Sequence, residues 1–171
     1  MAEPFRLLVT GSRQWSDTAL FRREMDTIAR TVAEAGHTRL VVVHGACYPP
    51  PCRPSGIRPH ESADWLAHLW VALLTHPLPV TEEPHPAKWT AECRKSCRPG
   101  HRRERRSGSI CPAAGNYRNQ LMVDLGADQG IGFPLDRSVG TRDCIARMNQ
   151  AGIPVRVVNP RATTTTTGGT P

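Results

Sequence analysis

Short continuous apolar runs alternate with segments of helical periodicity from Phe5 to Val158, and that alternation restricts the chain to a parallel α/β sheet. Phe5-Arg6-Leu7-Leu8-Val9-Thr10 reads as a buried strand that runs into the turn Gly11-Ser12-Arg13. Ser16-Asp17 can cap the next helix, in which Leu20, Met25, Ile28, Val32 and Ala35 recur at helical spacing before Gly36 stops it. Arg39–His44 is a second strand, apolar on both faces as parallel strands are. A Pro-rich loop, 45–61, then leads into a helix beginning at Glu61 or Ser62 that carries Ala63, Trp65, Leu66, Leu69, Trp70, Leu73 and Leu74.

Leu78-Pro79-Val80-Thr81 is a short third strand, moved toward a sheet edge by its proline. Glu82 to Ala114 is long, polar and basic, and a segment of that length calls for a function, disorder or a metal staple. Gly115–Leu125 is a helix expected to turn Leu121, Met122 and Leu125 inward. Gln129–Phe133 is the fourth strand, Gly140–Ala151 the fourth helix and Ile153–Val158 the last strand. Right-handed crossovers predict a Rossmann-like open sheet of five strands, order 3-2-1-4-5, with helices on both faces. One domain is expected over 5–160, with a Cys/Arg-rich insertion at about 90–113 and a Thr-rich disordered tail over 161–171.

Composition narrows the compartment and the partners. No stretch is apolar enough for a membrane span, and Met1-Ala2-Glu3-Pro4-Phe5 has no signal-peptide character, so a cytoplasmic protein is expected. The net charge of +7 is concentrated. Between Arg94 and Arg106 stand seven Lys/Arg and one acid, Glu104, which accounts for six of the seven charges. That run can gather phosphates over a crevice, contact nucleic acid through residues 94–106, or be solvated; few aromatics accompany it to serve as a stacking platform. Homo-oligomerisation is compatible with the sequence.

Ligands of such sheets sit beyond the carboxyl ends of the strands. Gly11, Ser12 and Arg13 follow the first strand, where free N–H groups, a hydroxyl and a guanidinium suit phosphate. His44 and Gly45 follow the second, and Asp64 at the next helix could accept ribose hydroxyls or act as a catalytic acid/base. Arg118 and Asn119 open the third helix, and Ser138, Gly140 and Thr141 the fourth. Cys93, Cys97 and Cys111 suggest a structural zinc site, with Cys52, Cys47 or His101 as the fourth ligand. Cys144 reads as a helix core residue.

These motifs recur together in one known pattern: Thr-Gly-Ser-Arg with Trp15 and Asp17, strand–His-Gly-x-Cys with a Ser-Ala-Asp helix, His85-Pro86-Ala87-x-Trp89, Arg118-Asn119-x-x-Met122-Val123, and Gly140-Thr141 before Ala-Gly-Ile-Pro-Val. The pattern resembles the YspA-like branch of the SLOG superfamily, found in actinobacteria and their phages, from about residue 5 to 158. The resemblance implies a domain that binds nucleotides or their derivatives, as a sensor or as a nucleotide-processing enzyme such as a phosphoribohydrolase. It carries over to Gly11, Ser12, Arg13, Gly45, Asp64, Arg118, Asn119, Gly140 and Thr141. Lonely Guy enzymes of that superfamily carry Pro-Gly-Gly-x-Gly-Thr-x-x-Glu; here Cys144 stands where the catalytic glutamate would be, with Asp143 one residue off. A second branch, DNA-processing protein A, implies the alternative, a nucleic-acid-binding module that uses the basic insert.

Overall fold

The computed structural model describes residues 3–50, 61–73, 75–105 and 108–160. Seven strands and four helices follow in the order β1 (Phe5–Gly11), α1 (Thr18–Glu34), β2 (Leu40–His44), α2 (Ala63–Leu73), β3 (Val80–Pro84), β4 (Arg103–Arg105), β5 (Gly108–Ile110), α3 (Ala114–Asp124), β6 (Gln129–Phe133), α4 (Val139–Gln150) and β7 (Val155–Val157). Five of the strands form one sheet in the order β3-β2-β1-β6-β7, and every pairing in it is parallel. That is the expected order, with β6 and β7 as the fourth and fifth sheet strands. The 161–171 tail lies outside the described residues.

The core divides by strand parity, because successive side chains of a strand point to opposite faces. Leu7, Val9, Leu40, Val42, Ile131 and Phe133 meet α1 and α2 on one face. Leu8, Val41 and Val43 meet Met122, Val123, Cys144 and Met148 of α3 and α4 on the other. Helix α1 starts where expected: the Asp17 carboxylate accepts from the Leu20 N–H at 2.9 Å, and Gly36 leaves the helix at φ +86°. The winding reverses between β1 and β6, which opens a crevice beyond their carboxyl ends.

Two elements differ from the sequence expectation. Strand β3 covers Val80–Pro84 rather than 78–81. Its glutamates read as loop, yet each is matched across the edge: Glu82 by His44 and His68, Glu83 by Arg6 and His85. Helix α3 buries Asn119, Met122 and Val123, while Leu121 and Leu125 are 46% and 49% exposed, so its inward stripe is rotated from the predicted one.

The Arg6–Glu83 pair gives the sheet an acid-sensitive brace. Arg6 grips both Glu83 oxygens at 2.8 and 2.9 Å and donates to the Gly126 carbonyl at 2.9 Å. Arg6, with a second hydrogen bond from His85, holds the Glu83 carboxyl down from 4.5 to about 2. A depressed folded-state pKa means this contribution is present above pH 4.5 and is lost as pH falls toward 2. Thermal melts across that window are expected to show wild type losing stability more steeply than Glu83→Gln, the two curves converging at the acid end.

Candidate nucleotide crevice and metal cluster

The turn after β1 is woven into its neighbours before any ligand is considered. Ser12 donates its N–H to the Phe133 carbonyl at 2.9 Å, and its carbonyl accepts from Ala63 N–H at 3.0 Å. A side chain on Gly11 would lie 2.3 Å from the Ala63 Cβ, so glycine is required here by the packing of α2. Arg13 is exposed, with its guanidinium carbon 5.6 Å from the centre of the Trp89 ring.

The loop after β2 is held under strain. Ala46 and Ser62 adopt φ of 49° and 81°, a region that non-glycine residues enter at a cost of roughly 1–3 kcal/mol each. Three bonds hold them. Asp64 accepts from Cys47 N–H at 2.8 Å, the Ser62 hydroxyl donates to the Cys47 carbonyl at 2.6 Å, and Ala46 N–H donates to His44 Nδ1 at 3.2 Å. Asp64 is buried and keeps an edge on the crevice. Burial pushes the Cys47 thiol up, against the pull of Arg13 and Arg118.

His44 does not join them. It is fully buried behind Gly45, and its Nε2 faces Glu82 at 3.2 Å while Nδ1 accepts from Ala46. Burial lowers its pKa. Both ring nitrogens are engaged within the protein, and His44 is absent from the crevice wall.

Arg118 fills the space that a side chain on Gly45 would need: a Cβ there would sit 1.5 Å from its terminal nitrogen. Its Nε donates to Asn119 Oδ1 at 3.1 Å and Nη1 reaches the His85 carbonyl at 3.4 Å. Asn119 in turn donates to the Gly140 carbonyl at 3.1 Å and to Asp143 at 2.9 Å, clipping α3 to α4. Among the described residues, neither Arg13 nor Arg118 has a carboxylate ion-pair partner.

A cavity of about 800 Å³ lies over the switch point. Its wall includes Gly11, Ser12, Arg13, Gly45, Asp64, Arg118, Asn119, Ser138, Gly140 and Thr141, every ligand residue expected from the sequence except His44. Trp89, Asp136 and Arg137 also line it and were not anticipated as site residues. Trp89 had a signal, since it stands in the His-Pro-Ala-x-Trp motif; Arg137 had only its place in the loop after β6. Three arginines against two aspartates leave the wall net positive. The Ser138 hydroxyl accepts from Leu135 N–H at 2.9 Å and makes no cap bond to α4, so the first amides of that helix are not capped by it. Nothing lies within 4 Å of the position a Gly140 side chain would take.

The positions nearest a Lonely Guy glutamate are committed elsewhere. Burial works to raise the Asp143 pKa, but hydrogen bonds from Arg147 and Asn119 bring it below the usual carboxylate value. Arg147 engages both Asp143 oxygens at 2.9 Å. Cys144 is fully buried and burial pushes its thiol up to about 11.

The long polar segment was expected to be functional, disordered or stapled by a metal, and its described residues are ordered. It contains the antiparallel hairpin β4–β5, and Cys93, Cys97, His101 and Cys111 converge with their ligand atoms within 4.8 Å of one another. Of the three candidates for the fourth position, His101 stands in the cluster; Cys52 lies outside the described residues. Cys97 and Cys111 sulfurs are 3.9 Å apart, and His101 Nε2 lies 3.5 and 3.2 Å from the Cys93 and Cys111 sulfurs. Tetrahedral zinc with Zn–S near 2.3 Å and Zn–N near 2.0 Å implies edges of about 3.5–3.8 Å, close to this spacing. His101 Nδ1 donates to the Arg98 carbonyl at 2.7 Å, which leaves Nε2 bare toward the sulfurs. Tyr117 and Arg102 add contacts at 2.8 Å to Cys97 and 3.4 Å to Cys93, able to satisfy thiolates. These four residues could therefore hold a metal ion.

A second, more open cavity of about 810 Å³ shares Arg13 and Trp89 with the first and adds Lys88, Arg105 and Ile110. An aromatic ring thus stands in the wall of both, where the sequence had suggested no stacking platform. On Tyr117, at the insert's other side, the Arg94 guanidinium lies 4.2 Å from the ring centre.

Over 154 residues the sequence is 34% identical to the Gene 61 protein of Mycobacterium phage D29, spanning 88% of this chain and 93% of that protein. The chain belongs to the Gene 61 protein family. No protein-family model matches it. The Gene 61 family fold also aligns with DNA processing protein A from Helicobacter pylori, a protein described for its single-stranded DNA binding mode. That alignment has a TM-score of 0.49 at 14% identity and covers 94% of this chain and 67% of the other. No described helix of this Gene 61 family member is long and apolar enough to cross a membrane.

Proposed function

We propose that the crevice binds nucleotide units through their phosphates, and that it receives them as part of a single-stranded nucleic acid. The observation that carries this is that Arg13 and Trp89 line both cavities, so that the two lie side by side. The inner one offers guanidinium groups with no carboxylate partner among the described residues and the open start of α4, a combination suited to phosphate. The outer one continues it with Lys88 and Arg105 beside an aromatic face, which gives a neighbouring nucleotide its own charge and stacking partners. The positions matched to the SLOG pattern, from Gly11 to Thr141, support the same crevice. With Asp143 and Cys144 committed elsewhere, binding without hydrolysis fits better than glycosidic cleavage. A structural Zn2+ held by Cys93, Cys97, His101 and Cys111 fits the donor set and spacing.

The test is fluorescence anisotropy with a labelled oligothymidylate at several salt concentrations. Four cations, Arg13, Lys88, Arg105 and Arg118, at about 0.7 per neutralised phosphate predict a log–log salt slope of roughly −2 to −3. Replacing Trp89 by Ala is expected to weaken binding roughly 5- to 100-fold, the range of one stacked base. A second possibility, a free nucleotide-derived ligand, is favoured by the size of the inner cavity, which suits a small molecule. It predicts stabilisation by mononucleotides or ADP-ribose and no oligonucleotide binding.

A further inference from the structure

We propose that the Cys93–Cys97–His101–Cys111 metal centre controls nucleic-acid binding, because the same centre holds the outer wall of the crevice and the first turn of α3 in place. The inference rests on the function proposed above. Between Ala91 and Ile110 no described side chain is buried, so this segment has no apolar core to order it. What order it has converges on the ligand cluster. Cys111 N–H donates to the Trp89 carbonyl at 2.8 Å, joining a metal ligand directly to the residue that walls both cavities. Arg102, beside His101, donates to the carbonyls of Ala91 and Ser109 at 2.9 and 2.5 Å and to the Cys93 sulfur at 3.4 Å.

The hairpin strung between His101 and Cys111 carries Arg105 and Ile110 into the outer cavity. On the inner side, Tyr117 contacts the Cys97 sulfur at 2.8 Å, one residue before Arg118. Without an ion the four ligand side chains keep only weak contacts with one another, and the bonds that would fix their spacing are absent. Without the ion, the expected result is a loosened insert, a displaced Trp89 and a less constrained Arg118, on a sheet whose two core clusters do not include the insert. The ion is of the zinc class, since a donor set of three sulfurs and an imidazole selects a borderline-soft divalent metal.

The full chain is purified with its metal, the metal content is measured, and binding of a fluorescein-labelled oligothymidylate is followed by anisotropy. The measurement is repeated after chelation and after Zn2+ is added back, with circular dichroism recorded throughout. The expected result is about one metal per chain, at least a tenfold loss of affinity on chelation with most of the α/β signal retained, and recovery with Zn2+. Unchanged affinity in metal-free protein overturns the inference and leaves the proposed function standing. Failure of the metal-loaded chain to bind the oligonucleotide overturns that function and the inference with it. If chelation unfolds the whole chain, Tyr117→Phe decides, since it removes the hydroxyl contact to the Cys97 sulfur at a residue that lines neither cavity: full metal content with weaker binding supports the coupling, and wild-type affinity refutes it.

Discussion

Replacing Arg118 with alanine is expected to weaken oligothymidylate binding roughly 10- to 100-fold, the worth of one charged hydrogen bond, without lowering the melting temperature by more than a few degrees. The side chain is half-buried against Gly45 and held by Asn119, yet no described carboxylate neutralises it. Its orientation is thus fixed while its charge is available. Arg118→Lys should recover only part of the loss, since an ammonium lacks the planar fork. Gly45→Ala supplies an independent check, because the added methyl occupies the place of the guanidinium and must expel it. Both variants should fail in the same assay, while Arg30→Ala, on the solvent side of α1, should bind as wild type does. Arg118→Ala with unchanged affinity would remove the guanidinium from the phosphate site.

Truncating Phe133 to alanine is expected to have the largest effect on stability, about 3–5 kcal/mol, as buried aromatic truncations do. Phe133 is fully buried, 5.2 Å from the Trp15 ring and 4.5 Å from that of Phe21. In a domain of this size each kcal/mol moves the melting temperature by roughly 2–4 °C, so a fall of roughly 6–20 °C is expected by calorimetry. The same residue links core to crevice, since its carbonyl anchors the Ser12 turn. That anchor is main chain and survives truncation. Affinity measured well below the lowered melting temperature should therefore stay within a few fold of wild type, separating a scaffold residue from a binding residue.

The sheet was legible because its signals are local and redundant. Apolar runs such as Leu40–Val43 and the helical spacing from Leu20 to Val32 can be satisfied in few ways, and the order 3-2-1-4-5 follows from connectivity. The crevice was legible for a related reason: strand ends of a parallel sheet share one edge, so Arg13, Asp64, Arg118 and Thr141 had to meet once the strands were placed. Side-chain direction at those ends was not legible. His44 occupies the right place on the chain, but strand alternation turns its ring away toward Glu82. Gly11 and Gly45 were recognisable as strand-end residues of the crevice, while what packs against them, Ala63 and Arg118, depends on tertiary packing.

The insert was the least legible part. Its hairpin has no hydrophobic alternation to announce it, and its order converges on a ligand cluster whose spacing, Cys-x3-Cys then His and Cys, is not a paired Cys-x-x-Cys pattern. The glutamates of β3 misled for a similar reason. Glu82 and Glu83 look like loop residues until the partners from β1, β2 and α2 are in place.

Titration of isotopically labelled, metal-loaded protein with a 5′-phosphorylated oligothymidylate, followed by backbone amide NMR, reaches the phosphate site itself. The amides of Gly140 and Thr141 at the start of α4, the Ser12 turn and the Arg118 side-chain N–H should shift first and saturate together with the anisotropy signal. Shifts confined to the exposed hairpin arginines 103 and 105, with Gly140, Thr141 and Arg118 unmoved at saturation, would place the nucleic acid on the surface of the insert and contradict a phosphate-binding crevice.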